Sequence, residues 1–71
     1  MTGLAVEVAE RLRASVQAFA WTTVANELRV TISVGVAGAA EAHDTTALLT
    51  LADRRLYAAK HGGRNRVVHS G

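Results

Sequence analysis

Leu4, Val8, Leu12, Val16 and Phe19 recur at spacings of four, four, four and three, with Glu7, Glu10, Arg11 and Arg13 off that stripe. The period predicts an amphipathic helix over residues 3–19, and Thr2 is placed to act as its N-cap. Residues 20–27, Ala-Trp-Thr-Thr-Val-Ala-Asn-Glu, hold neither a helical nor a strand period and are read as a connector. Residues 28–37 then alternate, with Leu28, Val30, Ile32, Val34 and Val36 on one face and Arg29, Thr31, Ser33, Gly35 and Ala37 on the other. That alternation predicts a strand. Its second face is small as well as polar, and a glycine inside a strand marks a bulge or a close approach by another backbone or a ligand.

The small-residue stretch 38–43 reads as a loop. Asp44 or Thr45 caps a second helix, whose apolar stripe is Leu48, Leu49, Ala52, Leu56 and Ala59. Gly62 and Gly63 end it, because glycine readily takes the left-handed conformation after a last helical turn. Val67 and Val68 begin a short final strand, and residues 69–71 read as a frayed end. The order is helix, strand, helix, strand, an α+β arrangement in one partial domain over residues 1–71. Two strands make a sheet that is marginal unless it packs on something, and an apolar strand at 28–37 would expose an unpaired edge. Pairing of strand 28–37 or of the apolar helix faces with another copy, or with a segment absent from this sequence, is the expected remedy.

Composition sharpens that expectation. The chain has 71 residues, no cysteine, no proline and three aromatic side chains, Phe19, Trp21 and Tyr57. Hydrophobic residues make up 49%, yet fourteen are alanine, which removes little apolar surface from water. For a chain this short, burial and chain entropy nearly cancel unless disulfides, metal or association contribute, and cysteine contributes nothing here. Without cysteine there is neither a disulfide scaffold nor a thiolate zinc site, which fits a reducing, cytoplasmic setting. No run approaches the ~18 apolar residues of a membrane span, and no signal peptide is evident. No membrane contact is expected from this chain.

Charge is lopsided. Residues 1–53 carry three arginines against six carboxylates, whereas Arg54, Arg55, Lys60, Arg64 and Arg66 follow with no acid. His43, His61 and His69 have no metal-ligand spacing, so no metal site is expected from them. Ser15, Ser33 and Ser70 lack any nucleophile-elbow context. Glu7 and Glu10 read as acidic early turns of a helix, and no catalytic triad is expected.

The informative segment is Asp53-Arg-Arg-Leu-Tyr-Ala-Ala-Lys60-His-Gly-Gly-Arg64-Asn-Arg66. Two accounts of it stand side by side. In one, the cations merely offset the negative end of the helix dipole and the glycines are caps. In the other, Lys60 and Arg64 converge on a polyphosphate, the planar guanidinium fork and the mobile ammonium suiting phosphate oxygens. Asp53 stands seven residues before Lys60, about 10 Å along a helix axis, too far for a direct pair.

The strand Leu28–Ala37, the segment Ala52-Asp53 with Leu56-Tyr57 and Ala59-Lys60, and the run Gly63-Arg64-Asn65-Arg66-Val67 together resemble the C-terminal half of a GGDEF domain, the diguanylate cyclase family. Ala9-Glu10-Arg11-Leu12-Arg13 is similar to the helix that follows the signature hairpin there. The likeness extends from about Gly3 to Val68. It implies a fragment of a ferredoxin-like, palm-type nucleotide-cyclase fold, with strand 28–37 beside a strand that this sequence lacks. It implies a parent reaction in which two GTP molecules give cyclic di-GMP and two pyrophosphates, with magnesium in the complete parent domain. Lys60 and Arg64 match the family positions that hold the terminal GTP phosphates. Asp53, Tyr57 and Asn65 also match, and are read as supports for the helix and the turn. The sequence contains no Gly-Gly-Asp-Glu-Phe signature, no upstream metal-binding aspartate and no Arg-x-x-Asp inhibitory site. The resemblance therefore implies GTP phosphate contacts without a competent active site, so no catalytic or metal-binding residue is assigned and the chain is expected to be inactive by itself. An alternative is a non-catalytic interaction or oligomerisation module derived from the same fold. A third, nucleic acid or another polyanion on the basic tail, is disfavoured because almost no aromatic side chains interleave the cations.

Overall fold

The computed structural model describes residues 2–71, without the side chain of Thr2. The expected Thr2 cap would rest on a side chain that lies outside what is described. Helix α1 runs Thr2–Ala18, and a single 3-10 turn at Trp21–Thr23 occupies part of the connector. Strand β1 is Val34–Gly35, a second 3-10 turn covers Ala39–Glu41, helix α2 runs Thr45–His61, and strand β2 is Val67–Val68. The two strands pair in parallel, Val34 opposite Val67 and Gly35 opposite Val68. Parallel neighbours require a crossover connection, and α2 supplies it. Among the described residues no helix is long and apolar enough to cross a membrane.

Helix α2 begins where the Asp44 carboxylate accepts the Ala47 N–H at 2.8 Å, which decides between the two candidate caps. It ends with the Gly62 N–H on the Ala58 carbonyl at 2.8 Å. Gly62 itself is not left-handed, with φ −86°. Of the two glycines expected to end the helix, Gly63 makes the reversal (φ 126°), which continues through Arg64 (φ 62°) and Asn65 (φ 47°).

The strand expected over 28–37 forms a ladder only at Val34–Gly35. The Val34 and Val36 N–H groups donate to the Arg66 and Val68 carbonyls, both at 3.0 Å. Residues 28–33 belong to neither helix nor ladder, because a strand is defined by its partner and β2 offers only two residues. Gly35 explains the small face of β1. A Cβ there would lie 2.3 Å from the Leu56 nitrogen and 2.4 Å from the Ala52 oxygen, so the α2 backbone lies directly on the strand.

Helix α2 packs across both strands, and α1 contacts β2. The core is thin. Among the described residues only Ala9 and Ala59 are buried hydrophobics, and Arg55 is the buried charged residue. Of the expected α1 stripe only Val16 turns inward: Leu4, Val8, Leu12 and Phe19 are 53 to 61% exposed. The residues of α1 turned inward are Ala9 with half-buried Val6, Arg13 and Val16. These spacings of three and four show that α1 packs through one flank of its apolar surface, next to the stripe read from the sequence.

Candidate functional site

Lys60 lies exposed in the last turn of α2 and Arg64 lies exposed beyond the two glycines, so both sit at the same end of the same helix. The Arg64 N–H donates to the Ala59 carbonyl at 2.9 Å, which closes the turn. Among the described residues, neither the Lys60 ammonium nor the Arg64 guanidinium has a hydrogen-bond or ion-pair partner. Arg66 folds back over the same turn. Its Nε donates to the Arg64 carbonyl at 3.0 Å, and a Cβ on Gly63 would come within 2.3 Å of its Nη2. Gly63 is therefore needed for its φ, whereas the flexible end of Arg66 could move aside for a Cβ. Lys60, Arg64 and Arg66 thus all follow one another at the C-terminal end of α2, the negative end of its dipole.

Arg13 ties this corner to α1. Its Nη1 donates to the Asn65 side-chain oxygen and to Gln17, both at 2.9 Å, and its Nε donates to Glu10 at 2.9 Å. The hydrogen bond from Arg13 holds the Glu10 carboxyl below the usual carboxylate range. Asn65, matched as a support for the turn, makes a contact of that kind. The Tyr57 ring stacks on His61, with centroids 3.7 Å apart, and the His61 Nδ1 lies 2.9 Å from the Tyr57 carbonyl. Asp53 is exposed on α2.

A second cluster was not legible as a unit. The Arg55 guanidinium, 5% exposed, grips Glu41 with Nη2 on Oε1 at 2.7 Å and Nη1 on Oε2 at 2.9 Å. Its Nη1 also donates to the Val36 carbonyl at 2.8 Å. The bonds from Arg55 to Glu41, with a further one from the Gly38 N–H, hold the Glu41 carboxyl down at about 2. One signal was available: Arg55 falls three residues after Ala52 and four before Ala59, inside the apolar face of α2. A cation in that position needs a buried partner.

Two surface clefts, of about 240 and 330 Å³, lie elsewhere. The first is lined by Phe19, Trp21 and Leu28 among others, the second by Glu41, His43 and Arg54 among others, and neither by Lys60 or Arg64. The candidate site is thus an exposed cationic corner. Among the described residues no three His, Asp or Glu side chains converge. Glu41 is committed to Arg55 and Asp44 to its helix cap.

The chain matches the family described as "Diguanylate cyclase, GGDEF domain" over residues 2–66. It is 45% identical to the response regulator PleD of Caulobacter vibrioides, in strain NA1000 / CB15N and equally in strain ATCC 19089 / CIP 103742 / CB 15. The alignment covers 90% of this chain and 15% of those relatives, so the chain spans less than a sixth of their length. No solved structure matches. With two helices, a parallel strand pair and a family match over nearly all of its length, this chain belongs to the GGDEF diguanylate cyclase family, as an α+β fragment of that domain.

Proposed function

We propose that this chain is the C-terminal part of a GGDEF domain, forms one partial domain over residues 1–71, and contributes Lys60 and Arg64 as contacts to the terminal phosphates of GTP. The observation that carries this reading is the unpartnered, exposed pair of cations on either side of the double glycine that ends α2. In the parent reaction, each 3′-hydroxyl of a facing pair of GTP molecules attacks the other's α-phosphate and pyrophosphate departs. An ammonium and a guanidinium fixed at the terminal phosphates would stabilise the charge that builds on that leaving group. Magnesium, if used by the parent, would be held by carboxylates outside these residues. Taken alone, the chain is expected to form no cyclic di-GMP.

The test is steady-state turnover of the complete parent domain. Replacing Lys60 or Arg64 by alanine should raise the KM for GTP about tenfold, the loss of one charge-assisted phosphate contact, with the melting temperature unchanged. An unchanged KM in both variants would overturn the assignment.

The exposed stripe Leu4, Val8, Leu12 and Phe19 favours a second reading, in which the fragment acts as an association module through α1 and the open edge of β1. The state of association in solution separates the two readings.

A further inference from the structure

We infer that Arg13, at the middle of α1, is a positioning residue for the phosphate-contact turn, acting through the side chain of Asn65. The inference rests on the reading of Lys60 and Arg64 as phosphate contacts. Arg64 and Asn65 are two consecutive non-glycine residues in the left-handed region, at φ 62° and 47°. Single asparagines adopt that conformation readily, but a pair that includes an arginine is unfavourable and persists only where its surroundings over-determine it. Three bonds from within the crossover do part of this. Arg64 N–H reaches the Ala59 carbonyl, Arg66 Nε reaches the Arg64 carbonyl, and the Val34 N–H reaches the Arg66 carbonyl. The fourth comes from a distant part of the sequence, where Arg13 Nη1 donates to Asn65 Oδ1 at 2.9 Å across 52 residues.

Arg13 is itself held before it reaches the turn. Glu10 and Gln17, one turn away on either side, accept from its guanidinium, and its side chain is only 16% exposed. A guanidinium held this way loses little freedom on forming one more bond. Asn65 thereby becomes a fixed post, and the backbone between it and the Ala59 carbonyl can point the Arg64 side chain in only a narrow range of directions. Freed from Arg13, the turn can relax out of the left-handed region and carry Arg64 with it. Such a loss weakens binding of the terminal phosphates while leaving the rest of the cyclase machinery in place.

The test uses the complete parent domain with GTP as the probe and a double-mutant cycle over Arg13→Ala and Asn65→Gly. Glycine keeps the left-handed backbone accessible while removing the acceptor, so this variant folds even if the arginine replacement does not. Each single variant should raise the KM for GTP about fivefold with kcat nearly unchanged, and the double variant should be no worse than either alone. Arg64→Ala is measured beside them. A raised KM in Arg64→Ala with an unchanged one in Asn65→Gly, or strictly additive effects in the cycle, overturns the positioning role alone. An unchanged KM in Arg64→Ala overturns the phosphate reading and the positioning role together.

Discussion

At Gly35 the absence of a side chain is a requirement of packing. Its φ is unremarkable, but the space a Cβ would fill is taken by the backbone of α2, with Leu56 N and Ala52 O at 2.3 and 2.4 Å. Helix backbone cannot give way as the end of a flexible side chain can, so Gly35→Ala should destabilise the fold by roughly 3 kcal/mol or prevent folding. Chemical denaturation checks this, and a variant as stable as the parent would show that α2 does not lie on β1 as described. The need for a small residue there was legible in the strand pattern, but not which object would approach. Arg55 is the opposite case. Its residue type suggested a surface cation at a helix end, whereas the fold buries it against Glu41 and the Val36 carbonyl. Only three-dimensional placement brings a loop carboxylate to a cation fourteen positions away.

Among the elements, α2 was the most legible. Its capping aspartate, its terminal glycines and its basic last turn all act locally, through bonds of a few residues' reach. The 28–37 strand was less legible because alternation reports which residues can share a face, while pairing depends on what lies alongside. The Arg55–Glu41 clasp joins α2 to the 3-10 turn and the end of β1, and it gives these elements an acid-sensitive link. Glu41 ionises at about 2 in the folded chain and near 4.3 when unfolded. A depressed folded value means that the contribution is fully present above about pH 4.5 and is lost as pH falls toward 2. Thermal melts across that window should show falling stability, and Glu41→Gln should flatten the fall while lowering the melting temperature at neutral pH. An identical acid profile in Glu41→Gln would remove the clasp from any role in stability.

As a whole molecule the chain is elongated, 46 × 23 × 16 Å with a radius of gyration of 13.9 Å, against about 11 Å for a compact domain of this length. Its accessible surface, 5163 Å², exceeds the roughly 4,250 Å² of a compact monomer of the same mass. The excess includes the α1 stripe, and exposed apolar surface on this scale favours association. Sedimentation should therefore show concentration-dependent self-association, and Val8→Glu, a change at a residue 55% exposed, should weaken it several-fold without unfolding the chain. A folded monomer at every concentration would sink the association reading. The helices, their order with the strands, the family and the two cations at the end of α2 were determined by the amino-acid sequence itself, because periodicity, capping and short motifs act over a few neighbouring residues. Tertiary structure alone decided that the ladder shrinks to two residue pairs, that α1 packs through Ala9 and leaves Leu4, Val8 and Leu12 in water, and that Arg13 and Arg55 find their partners. Each of these depends on which surfaces are present to be covered, and a linear pattern carries no record of that.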